Sequence, residues 1–198
     1  MGFNMTESTL IKIKQVNANA IAQGIGLDEQ ATMLLQDQPT TVDYLNQLIA
    51  LKLYPDAVRF LAHALPKREA TWWACLCARN TLTDKTPANE IKAIELAEAW
   101  VYKPIEDTCK PTLAAAEATE YKTAASWAAI AAFWSGDDIS PTTHAVIPPT
   151  EKLYAKAVIG AVMLAATQGE ASKVNEKYLL FLQQGINIAS GGDGRTVQ

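Results

Sequence analysis

Apolar positions along this chain recur at helical rather than strand spacing and divide it into a succession of short helices. Asp28, following Gly24 and Gly26, suits the N-cap of a helix to about Gln36, which Asp37-Gln38-Pro39 ends. Thr41 is expected to cap the next, where Leu45, Leu48, Ile49 and Leu53 make an amphipathic stripe. Pro55 suits the first turn of a third helix, with Val58, Leu61, Ala62 and Leu65 facing inward. Pro66 opens a helix over 67–82, and Pro87 opens one to Tyr102 that Pro104 breaks. Residues 105–119, around Pro111, and 122–135 form two more. Thr150 is expected to cap a helix to about Thr167, with Gly160 marking a tight crossing. The last helix starts at Ser172 and ends near Gly185 or Ile188.

Residues 127–134 have no polar face, and a helix apolar all round is buried between others. Alanine-rich runs let helix backbones approach closely, and Trp72, Trp73, Trp100, Trp127 and Trp134 are assigned to the core. The predicted fold is all-α, an irregular multi-helix bundle of about eight or nine helices. Residues 28–189 form a single helical domain, 1–27 an arm of weak order and 190–198 a disordered tail. Within the arm, residues 9–16 fit either a short extended segment or a frayed helix. No fixed repeat period appears, which places a regular repeat array below an irregular bundle.

Composition narrows the functions. At 198 residues one domain is expected. With 17 basic against 21 acidic side chains the net charge is −4, which disfavours a nucleic-acid partner. The longest apolar run, 157–166, falls short of the ~20 residues that a membrane-spanning helix needs. Neither the basic-then-apolar order nor an A-x-A site marks a secretory signal, so none is expected. Met1-Gly2-Phe3-Asn4-Met5-Thr6 formally fits the myristoylation pattern, and Met5 is an equal alternative as the natural start. Cys75, Cys77 and Cys109 cannot all pair within one chain, which favours a reducing, cytoplasmic setting. On a helix the Cys75 and Cys77 thiols point about 200° apart, unlike a C-x-x-C pair.

Candidate chemistry is sparse. His63 sits between Ala62 and Ala64, where a hydrogen-bonded imidazole is the expected role, and His144 lies in a loop with Asp137 and Asp138. The pairs Glu95/Glu98 and Glu117/Glu120 have one-face helical spacing but no E-x-x-H partner, so solvated faces account for them. Gly191-Gly192-Asp193-Gly194 has no following lysine and is not a phosphate loop. No catalytic residue, cofactor or metal is expected. The most unusual stretch is 66–79, where Arg68, Trp72, Trp73 and Arg79 are the candidate protein-binding residues. The competing reading is a core helix in which Glu69 pairs with Arg68 or Arg59.

Ala64-Leu65-Pro66-Lys67-Arg68-Glu69-Ala70-Thr71-Trp72-Trp73-Ala74-Cys75-Leu76, Ala97-Glu98-Ala99-Trp100-Val101, Trp127-Ala128-Ala129-Ile130-Ala131-Ala132-Phe133-Trp134-Ser135-Gly136 and the run 157–166 are distinctive blocks. Through them the chain, over roughly residues 28 to 192, resembles an uncharacterised all-helical bacterial family often encoded near type VI secretion genes. The resemblance implies a cytoplasmic, non-enzymatic adaptor or chaperone that binds a secreted effector or a component of the apparatus. It carries over no catalytic residue. An immunity protein that neutralises a cognate toxin is the alternative, in which an acidic chain fits a basic target.

Overall fold

A computed structural model describes residues 10–140 and 145–195. The N-terminal acylation pattern, Met5 and His144 lie outside the described residues.

Proline and threonine punctuation sets most of the helix starts. The first two helices are single short turns, α1 (Ala18–Ala22) and α2 (Glu29–Met33). Asn17 caps α1 by accepting from the Asn19 and Ala20 N–H groups. The α2 helix stops before Gln36, and the Asp28 side chain makes no capping bond to it. Thr40, not Thr41, caps α3 (Thr41–Ala50): its hydroxyl accepts the Asp43 N–H at 3.1 Å and donates to the Asp43 carboxylate at 2.8 Å. Thr41 is turned inward and donates to the Gln15 carbonyl at 2.7 Å. Helix α4 (Tyr54–Ala64) carries Pro55 in its first turn, α5 (Lys67–Arg79) follows Pro66, and α6 (Ala88–Tyr102) follows Pro87.

Helix α7 (Glu106–Ala118) includes Pro111, and two successive left-handed residues, Glu120 and Tyr121, turn the chain into α8 (Ala124–Trp134). Thr123 and Ser126 cap α8 reciprocally, the Ser126 N–H bonding Thr123 Oγ1 at 3.2 Å and the Thr123 N–H bonding Ser126 Oγ at 2.9 Å. Helix α9 (Leu153–Thr167) begins after Lys152, whose φ of 58° is left-handed, so Thr150 does not cap it. A 3-10 turn (Ala171–Lys173) leads into α10 (Val174–Ala189), which runs past Gly185 and Ile188.

The result is all-α: ten α-helices packed on one another, with no strand among the described residues. Helix α8 is the centre, contacting α5, α6, α7 and, most extensively, α9. Helices α3 and α4 attach through α4 to α9 and α10. Nine residues of α8 are buried, as its lack of a polar face predicts. The tryptophan core is smaller than expected. Trp73 and Trp100 are buried, whereas Trp72, Trp127 and Trp134 are half-buried. Alanines occupy the inner faces of α8, and its two indoles, seven residues apart, share an outer stripe with their rings 6.3 Å apart. The Trp127 ring covers Gly160 of α9, where a Cβ would sit 3.1 Å from it.

The expected arm and tail are both packed where described. Leu10 and Ile13 are buried, and Asn17 bridges Thr40 in an isolated antiparallel pair. Residues 193 and 194 lie against α5, Asp193 O accepting the Trp72 indole N–H and Gly194 packing beside Leu76. Among the described residues no helix is long and apolar enough to cross a membrane.

Candidate functional site

Residues on α5 are sorted by helical position. Arg68 and Trp72, four apart, lie on its outer stripe, while Trp73 is rotated into the core. There the Trp73 indole donates to the Phe181 carbonyl at 2.7 Å, so it is a packing residue rather than a binding one. Arg79 is exposed but engaged: it grips Glu98 of α6 through two bonds of 2.5 and 2.6 Å. That bidentate pair clamps α5 to α6 and explains Glu98, which a solvated face does not. Glu69 pairs with Lys12 at 3.6 Å, not with Arg68 or Arg59. Arg59 instead serves the buried Asp56 carboxylate at 2.9 Å.

Two of the four candidates therefore share one surface. Arg68 Nε donates to the Val101 carbonyl at 2.7 Å at the end of α6, which fixes the guanidinium beside Trp72. Tyr102, 64% exposed, sets its ring 5.9 Å from that of Trp72. The chain end closes the opposite side. Asp193 O accepts the Trp72 indole N–H at 2.7 Å, and the Arg195 guanidinium stands 4.9 Å from the centre of the Trp72 ring. Together these residues, with Lys12, Glu69 and Ile188, line a groove of 370 Å³. Sequence reasoning missed Tyr102, Asp193 and Arg195. Tyr102 reads only as the end of a helix, and the glycine-rich tail reads as disorder.

The other candidates lie outside this groove. His63 Nδ1 lies 2.8 Å from the Arg59 carbonyl at the rim of a 580 Å³ hollow that includes Lys152 and Lys156. Burial lowers its pKa, the two lysines lower it further, and the backbone bond opposes them. Asp138 accepts from Lys110 Nζ at 2.7 Å, from the Ser140 N–H and hydroxyl at 2.9 and 2.8 Å, and from the Ile147 N–H at 2.9 Å. It staples the loop that follows α8. All three thiols are buried, and burial pushes each upward, Cys109 to about 11. A buried thiol held in its protonated form is a poor nucleophile and a poor metal ligand.

Residues 44–189 match the sequence profile of a family of unknown function, DUF6931, over well more than half of the chain. The chain belongs to that family. No curated protein and no solved structure matches it. The DUF6931 segment starts later and stops earlier than the span of resemblance expected from the tryptophan blocks. Arg68, Trp72 and Tyr102 fall inside it, while Asp193 and Arg195 lie just beyond its end.

Proposed function

We propose that this protein is a non-enzymatic, cytoplasmic adaptor or chaperone that binds a protein partner through the Trp72 face. The partner class follows from the likeness of its tryptophan blocks to proteins encoded near type VI secretion genes: an effector or a component of that apparatus. The observation that carries the reading is the grouping of Trp72, Tyr102 and Arg68 around one surface groove. Tryptophan, tyrosine and arginine are the side chains that dominate binding energy at protein interfaces, because each offers a large rigid contact area with a polar end. The burial of the thiols and the structural bonding of Asp138 support a role in shape recognition over bond-making.

Affinity capture from the source bacterium tests this. The wild-type chain is expected to retain one protein in stoichiometric amount. Tyr102→Ala, a truncation at an exposed position that leaves helical circular dichroism unchanged, is expected to reduce its recovery about tenfold or more. Equal recovery by the two chains, or no stoichiometric partner, refutes the reading.

A further inference from the structure

The chain's own last described residues contact the Trp72 face as a bound peptide does. Asp193 supplies a backbone acceptor for the indole N–H, and Arg195 lays a cation over the indole ring. Arg195 Nη2 also donates to the Tyr102 hydroxyl at 3.1 Å. An acceptor at the indole edge and a cation at its face are the two polar contacts that a tryptophan offers a ligand. Glycine lets the segment reach this position. Gly191 and Gly194 have φ of +91° and +74°, and a Cβ on Gly194 would come within 2.7 Å of Leu76 and 2.9 Å of Ile188. The Gly194 N–H is held by Asn187 Oδ1 at 2.9 Å.

We propose that the Trp72–Tyr102 face is a site for an arginine carried on a glycine-rich segment. Residues 191–195 are its built-in occupant, displaced when a protein partner presents the same chemistry. The partner rests on the protein-binding reading above; the arginine seat itself does not. Tethered in cis, Arg195 holds the seat with an effective concentration on the order of millimolar. A free segment therefore competes poorly, while one carried on a docked partner is itself tethered and competes on equal terms.

The probe is a dye-labelled, amidated peptide of residues 190–195, titrated into the full-length wild type and full-length Gly194→Val. A β-branched residue at that left-handed position cannot seat the strap, yet it leaves Arg68, Trp72 and Tyr102 in place. The peptide is expected to bind Gly194→Val about tenfold or more tighter than wild type, and adding Tyr102→Ala to abolish the gain. Equal binding to both chains, or none to Gly194→Val, overturns the proposal. Indole N–H exchange in the wild type, with Trp72 assigned by Trp72→Phe, is independent of whether that variant folds. Trp72 is expected to exchange about 100-fold faster than Trp73, whose N–H is released only with the core. Equal rates would mean that the strap opens only on global unfolding, and would also overturn it. If these arms fail while the capture experiment succeeds, the protein-binding reading stands without a strap; the reverse outcome refutes the partner alone.

Discussion

Asp138 gathers four hydrogen bonds on one carboxylate, one of them from an ammonium group. The Lys110 bond, followed by the two backbone N–H groups and the Ser140 hydroxyl, holds its pKa far below the usual carboxylate range. Because this pKa is lower in the fold than in the unfolded chain, the charged form stabilises the native state. That contribution is complete above the ordinary carboxylate pKa of about 3.9 and fades as pH falls toward the folded value. Asp138→Asn keeps the shape and removes the charge. It is expected to lower Tm at pH 7, with the gap to wild type closing as pH drops from about 5 to about 2. Thermal unfolding of both chains across that range checks it; a gap independent of pH would show that the charge is irrelevant.

At the scale of elements, two helical glycines differ in what faces them. A Cβ at Gly185 of α10 would meet Leu61 at 2.7 Å and the ring of Trp73 at 2.8 Å, both fully buried and unable to give way. At Gly160 of α9 its three nearest atoms would all belong to Trp127, from 3.1 Å, a half-buried ring able to tilt outward. Overpacking costs about 1–3 kcal/mol and alanine regains about 1 kcal/mol of helix propensity. Gly185→Ala is thus expected to destabilise by about 1–2 kcal/mol, and Gly160→Ala to change stability by less than about 1 kcal/mol or to raise it. Urea unfolding separates them, and equal losses would refute the distinction. The same scale shows what was legible beforehand. Proline set the starts of α4, α5 and α6, and every long helix was anticipated, α8 by a run without a polar face rather than by a period. Thr40 and Thr41 are alike as caps, and the choice is made by the distant Gln15 carbonyl. Five residues, as in α1, are too few for a period to emerge. Of the site, Arg68 and Trp72 were legible only as two of the four arginine and tryptophan candidates of residues 66–79; their common outer face was not. Asp193 reaches Trp72 across 121 positions of sequence, and no local pattern records such a meeting.

For the molecule as a whole, cohesion depends on two ties. Helix α8 joins α5, α6, α7 and α9, and α4 ties the first helices to α9 and α10. Two bonds hold the first helices together: the buried Tyr44 hydroxyl of α3 donates to the Ala31 carbonyl of α2 at 2.8 Å, and the part-buried Asp28 N–H, just before α2, reaches Asp56 of α4 at 3.1 Å. Unfolding is expected to be one cooperative transition. Helical circular dichroism reports on every helix, whereas tryptophan fluorescence reports on α5, α6 and α8 alone. Coincident urea midpoints are expected, and an earlier loss of ellipticity would show that helices other than α5, α6 and α8 unfold as a separate unit.

A helix without a polar face also constrains the order in which the chain leaves the ribosome. Helices α5, α6 and α7 precede α8 in translation, so three of its four neighbours await it. Only the flank that meets α9 stays bare until later codons are read. A product of premature termination between Ser135 and Lys152 would keep that flank uncovered, making it a ready client for holdases and an aggregation hazard from which the finished chain is spared.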